Sequence, residues 1–92
     1  MDVKELKLGT VGEIIVLDVG IHIEGDEVTT ITVLKPDDTT TSWAATPVAG
    51  SETITYTLVE GDLDQLGNWY LVPVVDGVKG DTARIRVIDE FD

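Results

Sequence analysis

The 92-residue sequence predicts an all-β fold, an antiparallel sandwich of about seven to eight strands with one short helical turn. Runs rich in Thr, Val and Ile recur between Gly, Asp and Pro at the spacing of sandwich strands. Residues 52–59 alternate almost without fault, with Ile54, Tyr56 and Leu58 on one side and Thr53, Thr55 and Thr57 on the other. No stretch carries the 3.6-residue apolar period of an ordinary amphipathic helix. A chain of this length holds one core, so a single domain is expected over residues 1–92.

In chain order, Leu6 to Leu8 reads as a short first strand, broken by Gly9-Thr10-Val11-Gly12. Glu13 to Val19 follows, and its run Ile14-Ile15-Val16-Leu17 is apolar on both faces, which predicts a central or covered strand. Ile21 and Ile23 alternate around His22 before a turn at Glu24-Gly25-Asp26. Val28 to Lys35 forms an inner strand with Ile31 and Val33 on one face and Thr30 and Thr32 on the other. Pro36-Asp37-Asp38-Thr39 ends it, because proline donates no ladder hydrogen bond and Asp favours turns. Thr40 to Thr46 continues extended to Pro47, and Ala49-Gly50-Ser51 turns the chain into Glu52 to Val59.

Asp62 to Leu66 predicts one helical turn at the crossover before the penultimate strand, with Asp62 accepting from free N–H groups at its start and Gly67 as a left-handed exit. Trp69 to Val75 is the penultimate strand, Asp76 to Gly80 a hairpin loop and Thr82 to Ile88 the last strand. Residues 89–92 read as a frayed acidic end.

Eighteen Asp and Glu against six Lys and Arg give a formal charge of −12, which repels phosphate backbones and anionic lipid surfaces. Neither nucleic acid nor membrane is an expected partner. The acids are dispersed, as on a solvated surface that discourages wrong edge pairing. With no cysteine there is no disulfide framework and no thiolate metal site, so stability rests on packing and strand pairing. The start, Met1-Asp2-Val3-Lys4-Glu5, lacks the basic and apolar regions of a secretory signal, and no apolar run approaches a membrane span, so folding in a cytoplasm is expected.

Nucleophilic catalysis needs a base beside the nucleophile. His22 is the only histidine and Ser42 and Ser51 are the only serines; His22 reads as a half-exposed strand residue. Eighteen acids guarantee close carboxylate pairs, but a domain of this size lacks a deep sugar cleft, so no hydrolase is expected. Calcium has three candidate clusters, Asp37 with Asp38, Asp62 with Asp64, and Asp26 with Glu27; none has the EF-hand pattern, and turn formation accounts for each Asp, so no cofactor is expected.

Interaction residues are easier to nominate. Lys79, Arg84 and Arg86 are three of the six cations, and with Ile85 and Val87 inward, Arg84 and Arg86 share an outer face two residues apart. That strip suits a carboxylate-rich neighbour, including a second copy. Trp69 is expected in the core, whereas Trp43 and Tyr70 are the expected exposed aromatics, fit to bind carbohydrate or anchor an interface.

The succession Val33-Leu34-Lys35-Pro36-Asp37-Asp38-Thr39, the Thr-Ser-Trp strand, Ile54-Thr55-Tyr56, Gly61-Asp62-Leu63-Asp64, Gly67-Asn68-Trp69-Tyr70-Leu71 and Arg86-Val87-Ile88 resembles the immunoglobulin-like domains of tailed-bacteriophage virion proteins, of decoration, baseplate or tail type. The resemblance runs from about Glu13 to Ile88. Two departures stand out: Asp38 replaces the Gly of a Pro-Asp-Gly turn, and Leu71 stands where antibody-type domains carry their second cysteine. The resemblance implies a non-enzymatic virion component, capsid decoration or accessory protein first, that assembles in the host cytoplasm on other virion proteins. Its alternatives are a tail, baseplate or neck component, or a carbohydrate- or cell-surface-binding module from a larger protein.

Overall fold

The structure, a computed structural model, describes residues 4–89, and among them there are nine strands and no helix. The frayed end expected over residues 89–92 lies outside the described residues from 90 onward, as does the start of the chain before Lys4. The strands are β1 (Lys4–Lys7), β2 (Ile14–Ile23), β3 (Thr29–Leu34), β4 (Thr40–Ala44), β5 (Thr46–Pro47), β6 (Ser51–Thr57), β7 (Gly67–Val75), β8 (Val78–Lys79) and β9 (Ala83–Ile88).

They form two sheets. The larger runs β1-β9-β7-β3-β4 with β8 added to β7, and the smaller runs β2-β6-β5. The sheets are not wholly antiparallel, because β1 pairs parallel with β9. Between them lies one core, in which Ile23, Ile31, Val33, Ile54, Trp69 and Leu71 are completely shielded from solvent. The alternation predicted for β3 and β6 is the alternation observed: Ile31 and Val33 point inward, as do Ile54 and Tyr56.

Turn chemistry sets the register of the large sheet. Asp38 N–H donates to the Lys35 carbonyl and Lys35 N–H to that of Thr39, at 3.0 and 2.8 Å, and Asp38 has φ 69°. This is a type I turn followed by a left-handed residue, so Asp38 adopts the conformation that Gly would take more easily. The resulting hairpin pairs Leu34 with Thr40 and hence Ile31 with Trp43. Val75 and Val78 are joined by Asp76-Gly77, both at positive φ, which is the geometry of a tight hairpin turn. The predicted Asp76–Gly80 loop thus contains β8.

Three further expectations are corrected. The Thr40–Thr46 strand divides at Ala45, with β4 in the large sheet and β5 in the small one. Instead of a helical turn at Asp62–Leu66, Asp62 N–H closes a turn on the Val59 carbonyl at 3.2 Å, and its Oδ2 accepts from Val59 N–H at 2.8 Å and Tyr56 Oη at 2.6 Å. Asp62 therefore secures the residues before it, leaving no cap for a helix after it. Gly67 opens β7 at φ 127°, and a Cβ there would meet Pro36 at 3.1 Å, so conformation and close packing both require glycine.

The last correction concerns β2, which is neither central nor covered. It is the outer strand of the small sheet, and Ile14 and Val16 are 51% and 59% exposed. Between Asp18↔Thr53 and Ile23↔Ser51 it advances five residues against two on β6, an excess of three accommodated around Gly20. There Asp18 Oδ1 accepts Gly20 N–H at 2.8 Å.

Candidate functional site

Trp69, Leu71, Pro73 and Val75 on β7 and Ile85 and Val87 on β9 face the core, so the residues between them must face out. The ladder places Arg84 directly opposite Tyr70, Arg86 opposite Asn68 and, on its other side, Glu5, and Lys79 opposite Val74. Four of the five nominated interaction residues, Tyr70, Lys79, Arg84 and Arg86, are thereby brought to one face. Lys7 joins them on the side of β1 opposite buried Leu6. Only the parallel β1–β9 pairing brings Lys7 there, and no local signal in the sequence foretells it.

Across the rest of this face stand Val72 on β7, Thr30 and Thr32 on β3, and Thr40 and Ser42 on β4, none of them acidic. Glu5 is the carboxylate that the strands place among these cations. Its Oε2 lies 3.7 Å from Arg86 Nη1 with both side chains more than half exposed, a pair worth about 0–1 kcal/mol in water. Glu5, Gly67, Asn68, Arg84 and Arg86 line an open depression of about 660 Å³, to which Gly67 contributes no side chain. On a chain of net charge −12 this is a cationic island with an aromatic ring at 37% exposure in its middle.

Trp43 does not belong to it. Only 5% exposed, it faces inward because its ladder partner Ile31 does, and it stacks on Tyr56 of the opposite sheet with ring centres 4.7 Å apart and planes 12° apart. The Trp69 ring lies 6.4 Å from it. The three-residue turn after Leu34 is the signal that finds this face, since turn type dictates register and register dictates which face Trp43 joins.

A second depression of about 410 Å³ lies beside this stack, lined by residues including Lys35, Ser42, Trp43, Tyr56 and Asp62. Its Tyr56, Asp62 and Lys35 side chains are already engaged. The Tyr56 hydroxyl donates to Asp62, and burial, followed by that hydrogen bond and the negative charge beside it, pushes its pKa up to about 12. Lys35 Nζ sits 3.3 Å from Asp64 Oδ2 and 5.6 Å above the Trp69 ring. Trp69 Nε1–H donates to the Gln65 carbonyl at 3.1 Å.

The three acidic clusters serve the turns that contain them. Asp37 accepts from the Thr39 hydroxyl and N–H and from Gln65 Nε2, and these bonds hold its carboxyl below the usual range, those from Thr39 foremost. Glu27 accepts from Glu24 and Gly25 N–H groups, which depress it likewise. Among the described residues no three His, Cys, Asp or Glu side chains converge as a metal site. His22 is exposed, with Nε2 3.6 Å from Glu24 Oε1, and Ser51 Oγ donates to the Val48 carbonyl. No protein-family model, no curated protein and no solved structure matches this chain.

Proposed function

We propose that this chain is a non-catalytic, immunoglobulin-like binding module of a tailed-phage virion, a capsid decoration or accessory protein first, that docks through the outer face of its larger sheet onto carboxylate-bearing virion proteins. The observation that carries the reading is the convergence of Tyr70, Lys79, Arg84 and Arg86 on that face. An aromatic ring among guanidinium groups is the composition of interface hot spots, and Arg engages carboxylates bidentately.

Strand order supports the immunoglobulin-like part. With β2, β3, β5, β6, β7 and β9 taken as strands B, C, D, E, F and G, the smaller sheet reads B-E-D and the larger G-F-C, with β4 beyond C. Trp69 at the start of F donates to a carbonyl four residues upstream, the role of the corner tyrosine in such domains. β1 pairs with β9 and does not cover β2.

Mass spectrometry of purified virions from the phage that encodes the chain tests the assignment, and the protein should be a stoichiometric component. Its absence from particles refutes the virion reading. Arg84→Glu with Arg86→Glu should abolish retention on particles while leaving the fold intact; undiminished retention refutes this docking face.

A further inference from the structure

Apart from the two-residue β8, the sheets end in β1 and β4 and in β2 and β5, and these edges are treated differently. β5 is two residues long and ends at Pro47; β1 sets Glu5 and Lys7 on either side of Leu6; β4 opens with Thr40, Thr41 and Ser42. Brevity, proline, charge and polarity are the usual means of keeping an edge from pairing. The first half of β2 has none of them along Ile14-Ile15-Val16-Leu17, and its ladder to β6 is regular from Ile14 through Asp18. Among the described residues nothing pairs with its other side.

The phase of that ladder is set just before it. Gly12, at φ 85°, donates its N–H to the Leu58 carbonyl at 2.8 Å, and Leu58 N–H donates to the Glu13 carbonyl at 2.9 Å, a glycine bulge. Alternation then turns the N–H and C=O groups of Ile15 and Leu17 toward β6 and those of Ile14, Val16 and Asp18 toward the open edge. The residues with free backbone groups are therefore also those whose side chains lie on the outer face, where Ile14 and Val16 are half exposed. Val11 and Val59, 60% and 54% exposed, flank the bulge and extend the apolar surface.

We infer that this edge pairs with the same edge of a second copy, antiparallel, about a two-fold axis at Ile15. An axis there keeps the pairing in phase with the free backbone groups of the edge. Ile14 falls opposite Val16 of the second copy and Val16 opposite its Ile14, all four with backbone groups free to exchange hydrogen bonds. Their side chains lie on one continuous outer face, and the two three-stranded sheets become one of six. No carboxylate meets another across the axis: Glu13 falls opposite Leu17, and Asp18 opposite Gly12.

Two physical terms fix the strength. A five-residue edge buries less than the ~800 Å² per partner of a stable interface, so association is weak and reversible. Each copy carries a charge of −12, and that repulsion is screened beyond ~10 Å at 0.1 M salt but beyond only ~3 Å at 1 M. Salt therefore strengthens the dimer. The pairing is independent of the cationic face, which lies on the other sheet.

Sedimentation equilibrium at millimolar protein, in low and in molar salt, tests the inference. A monomer–dimer equilibrium shifted to dimer by salt is expected, abolished by Val16→Lys and untouched by Arg84→Glu with Arg86→Glu. Because the chain has no cysteine, register is tested separately: Ile14→Cys with Val16→Cys should give a disulfide-linked dimer, since hydrogen-bonded antiparallel partners have Cα atoms about 5.5 Å apart, within disulfide reach. A monomer in molar salt overturns the inference, even if some other protein's strand binds this edge. So does a dimer that survives Val16→Lys in a protein whose circular dichroism is unchanged.

Discussion

Replacing Trp69 by alanine tests the core at its most occupied point. Trp69 is fully buried, its indole N–H is bonded to the Gln65 carbonyl, and Lys35 and Trp43 lie against it from two sides. Burial of an aromatic of this size and the cavity left on its removal make Trp→Ala cost about 3–5 kcal/mol, and the carbonyl stripped of its donor lies within that range. Domains of this size have about 5–15 kcal/mol in total, so the variant is close to unfolding. At roughly 4–8 °C per kcal/mol, a loss of 4 kcal/mol lowers Tm by about 16–32 °C. Urea and thermal melts followed by far-ultraviolet circular dichroism supply the measurement. Trp69→Phe, which keeps most of the volume but loses the N–H, should cost about 1–2 kcal/mol and remains measurable if the alanine variant does not fold. A loss below about 1 kcal/mol for Trp69→Ala refutes the assignment of this ring to the core.

Asp38→Gly relieves a left-handed conformation in the β3–β4 turn and should stabilise the fold by about 0.5–1 kcal/mol, read as a higher urea midpoint at unchanged slope; destabilisation would show that the Asp38 side chain contributes more than its backbone costs. Tyr56 holds its proton more tightly when folded than its ordinary value of 10.0 allows, so this contribution to stability is complete below pH 10 and is lost as pH rises toward about 12. Asp62→Asn should bring the Tyr56 titration down toward ordinary, as ultraviolet absorption of the phenolate reports; an unmoved titration would leave burial as the whole cause.

Strand pairing accounts for the bare edge. β1 runs parallel to β9 in the larger sheet, so among the described strands none lies outside β2 in the smaller one. The same pairing delivers Glu5 and Lys7 to the cationic face.

Much was determined by the sequence alone. The alternation of Ile54-Thr55-Tyr56 and of Thr30-Ile31-Thr32-Val33, the turn at Pro36-Asp37-Asp38, and the inward Ile85 and Val87 that turn Arg84 and Arg86 outward are local, since period and turn chemistry act within a few residues. Tertiary structure decided what lies next to what. Ile14-Ile15-Val16-Leu17 has the same composition whether buried on two faces or one, and only the β2-β6-β5 order leaves it at an edge. Trp43 has no face of its own until the turn aligns it with Ile31, and Asp62 could cap forward or backward until Tyr56 came within 2.6 Å. The physical reason is that a strand's two faces are equivalent in its own alternation. They become inside and outside only when pairing between residues distant in sequence closes the sandwich.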